Sequence, residues 1–266
     1  MFADYHMHTY FSDDSDYPME DCIKRAIELG IEEICFTEHT DFGTKDESGN
    51  CDAKAYHKMV QRYQREYQQK LRIKFGMEFG MQTETIDEFQ QLFDKYPFDF
   101  IILSCHQVDN QFFYTQQFQK GRTQQEYNER YYEEILKVVQ QYDDFSVLGH
   151  LDMIKRYDKQ GEYPFAGVRD IIAEILKLTI AKGKGIELNT SCYRYGLPDL
   201  TPSHDILELY RDLGGEILTV GSDSHTRVHV GVKIKESQEE LARLGFKHMY
   251  TFDEMKPVGH MLAEWK

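Results

Sequence analysis

The chain has 266 residues and a hydrophobic fraction of 41%, enough to bury the core of one large α/β barrel or of two small domains. With 31 Lys and Arg against 46 Asp and Glu, its net charge of −15 would repel a nucleic-acid backbone, so a nucleic-acid partner is excluded, although a small anionic substrate is not, because bound divalent cations invert the local field. The five cysteines are scattered and odd in number, which argues against a disulfide framework and a thiolate metal site; with no signal-like N-terminus and no apolar run of about 18 residues, the expectation is a cytoplasmic protein with no membrane partner.

Ala3 to His8 reads as a strand ending in His6-Met7-His8. Side chains two apart on a strand share a face about 6.5 Å apart, so this pair can converge on one ion. After a polar loop with Asp13 and Asp14, Met19 to Leu29 carries an apolar stripe at helical spacing, closed by Gly30. Glu33 to Phe36 is a strand running into Thr37-Glu38-His39. Ala53 to Leu71 is helical, and Arg72 to Gly80 is a strand with Glu78 set between Gly76 and Gly80. Thr85 to Phe93 is a helix, and Phe98 to Cys105 a strand ending at His106.

Beyond an aromatic loop from Gln107 to Gly121, Thr123 to Gln141 is a long helix and Phe145 to Leu148 a strand ending in Gly149-His150-Leu151-Asp152. Val168 to Lys182 is helical, Gly185 to Asn189 a strand, and His204 to Leu213 a helix. Ile217 to Val220 runs into Gly221-Ser222-Asp223-Ser224-His225, and the remainder holds a helix near Gln238 to Leu244 and a strand near Lys247 to Thr251. Seven strands alternating with helices, each followed by polar residues, predict parallel βαβ units. An open sheet uses only one or two strand ends at its switch point, whereas a barrel collects them all, so the expected fold is a distorted seven-stranded (β/α) barrel occupying residues 1–266 as one domain.

Six of the eleven histidines (His6, His8, His39, His106, His150, His225) stand at strand ends beside Glu78 and Asp223. Taken singly, a histidine at a barrel mouth is more often a hydrogen-bonding residue than a ligand. Together they form an imidazole and carboxylate set without thiolate, suited to hydrolytic Zn, Mn or Fe and larger than one ion requires.

The ordered set of these strand ends resembles the polymerase and histidinol phosphatase (PHP) superfamily, over residues 3–226, and the Gly149-His150-Leu151-Asp152 and Glu187-Leu188-Asn189-Thr190 strand ends resemble its histidinol-phosphate phosphatase branch. The resemblance implies three divalent metal ions. One would take His6, His8, Glu78 and Asp223; a second would share Glu78 and add His106 and His150; the third would take His39 and His225. Many members place a histidine six residues after the second His of the first motif; here that position is Asp14, with Asp13 as its neighbouring alternative. The implied activity is phosphomonoester hydrolysis of L-histidinol phosphate by a metal-bridging hydroxide, with Glu78, Asp223 and His225 as the catalytic set. The proton for the leaving alkoxide comes from Asp223, His225 or a metal-bound water, a choice the sequence leaves open. Arg156 and Arg194, each following a strand end, are the expected hydrogen-bond donors to the substrate phosphate, ahead of Lys155, Arg122 and Arg227. The alternatives are a phosphatase or phosphodiesterase acting on phosphotyrosyl protein or nucleotide, and a non-catalytic metal-stabilised binding module.

Overall fold

A computed structural model describes residues 1–43 and 50–262. Its strands and helices alternate as β1 (Ala3–Asp4), α1 (Met19–Leu29), β2 (Glu33–Phe36), α2 (Ala53–Tyr67), β3 (Arg72–Gly80), α3 (Ile86–Phe93), β4 (Phe100–Ser104), α4 (Gln124–Gln141), β5 (Val147–Leu148), α5 (Arg169–Ala181), β6 (Gly185–Asn189), α6 (Ser191–Tyr195), α7 (His204–Asp212), β7 (Leu218–Gly221) and α8 (Ile234–Arg243). Strands β1 to β7 pair in sequence order, all parallel. The chain just beyond β1 meets β7 and its continuation through Tyr5 N to Val220 O (3.1 Å), Asp223 N to His6 O (2.8 Å) and His8 N to Ser224 O (2.8 Å), and so nearly closes the barrel. The fold expected from the βα alternation is the fold found.

Local chemistry explains why these segments take these forms. Met19, Cys22, Ile23 and Ala26 on α1 recur at the spacing of one helical face and are buried; Gly30 at φ 71° supplies the left-handed C-cap. Thr123 caps α4 through a reciprocal box with Glu126, and Asp52 caps α2 by accepting from Lys54 N and Ala55 N. Strands β4 and β6 are buried at every position, as parallel strands covered by helices must be.

Three segments differ from their sequence-based expectation. Only Ala3–Asp4 of the first strand joins the β2 ladder; beyond it Met7 O accepts from Thr37 N at 2.9 Å on one side and Met7 bridges Ser224 on the other. The C-terminal strand (β8, His248–Asp253) has an antiparallel partner, β9 (Lys256–Met261), joined through Glu254 and Met255 at φ 47° and 65°. A two-residue turn with both φ positive normally draws Gly or Asn, so the sequence carried no sign of this hairpin. The loop after β4 contains a small hairpin of Gln107–Val108 with Gln111–Phe112, turning at Asp109 and Asn110. The β8–β9 hairpin packs under the barrel, where Phe252 lies 5.0 Å from the Phe100 ring and its N–H donates to Tyr5 Oη (2.9 Å). Among the described residues no helix is long and apolar enough to cross a membrane.

Candidate metal centre

The parallel strands send their C-terminal ends to one mouth, where a cavity of about 430 Å³ is lined by His8, His39, Glu78, His106, His150, Arg156, Asp223 and His225, among others. Glu78, on β3, sits at its floor, nearly inaccessible to solvent. Its two oxygens face two different histidine pairs. Oε1 lies 2.8 Å from His150 Nε2 and 3.1 Å from His106 Nε2, while Oε2 lies 3.2 Å from His6 Nε2 and 3.5 Å from His8 Nε2. Ser104 Oγ donates to Oε1 at 2.6 Å and fixes the plane of the carboxylate. Asp223 completes the floor, with Oδ1 3.6 Å from His8 Nε2 and 3.9 Å from His6 Nε2.

Among the described residues, two groups of buried ligand atoms converge within 4.8 Å: His6, Glu78 and His150; and His6, His8 and Asp223. A third, more exposed group is Asp13, Asp14 and His39. The two-residue strand His39–Thr40 pairs with β3 in the register His39 opposite Glu78, which carries the loop histidine to the mouth. Asp14 links two rings, with Oδ1 3.1 Å from His39 Nε2 and Oδ2 3.0 Å from His225 Nε2, whereas Asp13 reaches His39 alone at 3.3 Å. All the metal-ligand residues expected from the sequence therefore meet at one mouth, and of the two neighbouring aspartates Asp14 has the better placement.

Burial and the neighbouring charges shift these groups in opposite directions. Burial opposes charging His6, yet Glu187, Glu78 and Asp223 hold its pKa well above the ordinary imidazole value. Burial likewise opposes His106, but Asp41 and Glu78 raise it to about 10. Against the upward pull of burial, His6 and His106 hold Glu78 well below the usual carboxylate range, and His6, His225 and Arg156 do so for Asp223. Burial together with His225 and His6 pushes His8 well below its ordinary value. Buried carboxylates and imidazoles facing one another within 4 Å form a donor set that divalent cations would fit, replacing the shared protons.

The backbone is held in an unfavourable region at two of these positions. His150 has φ 20° and Asp223 φ 54°, conformations that non-glycine residues adopt only when their surroundings require it. Here the requirement is visible: Glu187 Oε2 accepts from His150 N at 3.0 Å, and Asp223 N donates to His6 O. Gly221 leaves room for the same network, since a Cβ there would fall 2.5 Å from Glu187 Oε1 and 2.3 Å from His6 Cβ.

Arg156 and Arg194 both gather on Asp223. The Arg156 guanidinium is buried, 2.7 Å from Ser191 Oγ and 3.5 Å from Asp223 Oδ2. Arg194 donates to the Asp223 carbonyl at 3.0 Å. Both stack on the Tyr195 ring, at 4.1 and 5.0 Å from its centroid. The other basic candidates lie elsewhere: Lys155 is held by Asp152 and the Leu200 carbonyl, Arg122 covers Phe118, and Arg227 pairs with Glu28. Of the aromatic loop, Phe112 and Tyr114 line the cavity, while Phe113 and Phe118 are buried in packing.

A PHP domain model matches residues 4–191, well over half of the chain. The chain belongs to the PHP family. This PHP protein is 33% identical to the histidinol-phosphatase of Lactococcus lactis, over 95% of each chain, and 28% identical to a probable histidinol-phosphatase of Thermotoga maritima, over 92% of this chain and 94% of that one. Its structure matches that of the Lactococcus lactis histidinol phosphate phosphatase complexed with zinc, L-histidinol and phosphate, with a TM-score of 0.86 at 32% identity, covering 96% of this chain and 98% of that one. The fold alone is shared with a putative histidinol phosphatase of Listeria monocytogenes, with a TM-score of 0.71 at 20% identity over 86% of this chain and 97% of that one.

Several residues of this PHP centre had no role assigned from the sequence. Asp41 follows His39 by two residues, and a carboxylate at that spacing on a strand shares the histidine's face, a signal that was available. Glu187 lies in the middle of β6, and its 2.6 Å contact with His6 Nδ1 spans 181 residues, so no local pattern announces it. Tyr195 rides on α6, a five-residue helix too short for a periodic signal.

Proposed function

We propose that this PHP protein is a metal-dependent phosphomonoesterase that hydrolyses L-histidinol phosphate to L-histidinol and phosphate. The observation that carries the reading is the split Glu78 carboxylate, facing one histidine pair with each oxygen, in the same cavity as Arg156, which gathers with Arg194 on Asp223. The substrate assignment draws on the Lactococcus lactis relative, whose solved structure is complexed with L-histidinol and phosphate.

In this reading His6, His8, Glu78 and Asp223 hold one divalent cation, Glu78, His106 and His150 a second, and His39, His225 and Asp14 a third, with zinc, iron or manganese as the ions. Bound there, such cations supply Lewis acidity toward phosphoryl oxygens and bring the ionisation of water toward neutral pH. The protein's own contribution is placement. Arg156 and Arg194, stacked on Tyr195, present N–H donors to the phosphoryl oxygens, and the bidentate geometry of guanidinium suits a phosphate dianion. The departing alkoxide needs a proton; Asp223, held ionised, and His225, whose Nδ1 lies 2.9 Å from the Asp223 carbonyl, would orient the water that delivers it. Phe112, Tyr114 and Tyr157 wall the mouth and limit water around the ester.

Phosphate release from L-histidinol phosphate, p-nitrophenyl phosphate and AMP, measured with and without chelator, tests this function. The expected result is chelator-sensitive release with the highest kcat/KM for L-histidinol phosphate. Preference for AMP or the aryl phosphate would move the protein to another substrate class, and no release from any ester in the metal-loaded protein would leave a binding module.

A further inference from the structure

Asp41 follows the strand His39–Thr40 and stands behind the rim of the mouth, largely buried. Its two oxygens face different histidines. Oδ1 accepts from His106 Nδ1 at 2.9 Å, and Oδ2 lies 3.2 Å from His39 Nδ1, close but without the alignment of a hydrogen bond. The opposite nitrogens of the same rings point at the two halves of the centre: His106 Nε2 is 3.1 Å from Glu78 Oε1, and His39 Nε2 is 3.1 Å from Asp14 Oδ1. A single carboxylate thus backs one imidazole that faces Glu78 and one that faces Asp14, the two rings similarly exposed at 17% and 15%.

We propose that Asp41 is a shared positioning residue, holding His106 and His39 with hydrogen on Nδ1 and Nε2 free, and thereby setting the occupancy of an inner and an outer cation position together. This rests on the reading that these histidines hold divalent cations. An imidazole that ligates through Nε2 is neutral and carries its hydrogen on Nδ1, where it needs an acceptor to fix tautomer and ring angle. Among the described residues Asp41 is the acceptor within reach of either Nδ1.

The neighbouring strand is shaped around this carboxylate. A Cβ on Gly80 would fall 1.8 Å from Asp41 Oδ1 and 2.7 Å from His106 Nδ1. Gly80 is not among the residues with positive φ, so the glycine is required there for space and not for backbone conformation. Asp41 N donates to Asn50 Oδ1 at 2.9 Å, which ties down the segment that bears the carboxylate.

The test compares the full-length chain with Asp41→Ala and Gly80→Ala. Each is equilibrated with limiting Zn²⁺, assayed for bound metal per chain, and titrated against a chromophoric chelator. Asp41→Ala removes the acceptor, and Gly80→Ala keeps the charge but pushes the carboxylate aside. Both are expected to weaken two cation positions by about 10- to 100-fold, the usual effect of losing such an outer partner, while the position served by His6 and His8 stays tight. In the zinc-loaded protein two downfield imidazole Nδ1–H proton resonances should disappear in Asp41→Ala, a signature that general loosening of the fold would not produce selectively. Wild-type stoichiometry, affinity and resonances in Asp41→Ala would overturn the proposal, and loss confined to one position would overturn the shared role. A wild-type chain that takes up no zinc would instead overturn the metal reading beneath it.

Discussion

The buried and the exposed histidines of the mouth differ in what carries them. His6, His8 and His150 stand at strand ends, each no more than 3% exposed, and face the fixed carboxylates Glu78 and Asp223. His39 and His225 have side chains 15% and 20% exposed and meet Asp14, a loop residue whose side chain is 55% exposed. Strand ends locked by the barrel hold ligand atoms where they are needed at no further ordering cost, whereas a loop carboxylate must be ordered when it binds. On the proposed reading, the inner group would therefore hold its cations more tightly than the outer group.

Breaking the inner group should have the largest effect. Glu78→Gln removes the carboxylate that serves both histidine pairs, and turnover should fall by more than the 10- to 100-fold typical of losing an outer partner. Far-ultraviolet circular dichroism should show the fold intact; wild-type activity together with wild-type metal content would refute the bridging role.

The two arginines sharpen the comparison, because they sit on the same aspartate at different depths. Arg156→Ala removes a buried donor and should cost about 2 to 4 kcal/mol in kcat/KM, with KM raised and kcat lowered. Arg194 is more exposed, and Arg194→Ala should cost closer to about 1 kcal/mol. Unchanged steady-state constants in both variants would mean that neither guanidinium touches the phosphoryl group.

In the outer group, Asp14→Ala should release one cation per chain in a metal assay while leaving the inner ions bound. Asp13→Ala should change metal content little, since Asp13 reaches His39 but not His225. The opposite ranking would exchange their roles.

A perturbation remote from both groups should be the smallest. His204 pairs with Asp199 Oδ1 (2.5 Å) and Glu240 Oε1 (3.2 Å), joining α7 to α8; although burial opposes it, these partners raise its pKa. A histidine whose folded pKa is raised stabilises fully below its unfolded value of about 6.5, and the contribution is lost as pH rises through the folded pKa. With the side chain 43% exposed, His204→Gln should cost less than about 1 kcal/mol. Urea titrations at pH 6 and pH 9 should show the larger difference at the lower pH, with activity unaffected.

By itself the sequence determined the seven strands, their parallel order and the residues at their ends. Those follow from local rules: apolar runs of strand length, helical stripes closed by caps such as Gly30 and Thr123, and polar residues where each strand stops. Only the tertiary structure decided how those ends are used. That Asp14 reaches a ring on the last strand's loop is a contact across more than 200 residues of chain. The gathering of Arg156 and Arg194 on Asp223 with Tyr195 beneath them, the support of His6 by Glu187, and the position of Asp41 between two rings are contacts between different strand ends. Apart from His39 near Asp41 and Tyr195 next to Arg194, these partners lie far apart in the chain, because barrel closure brings them together at a distance in sequence that periodicity and spacing do not span.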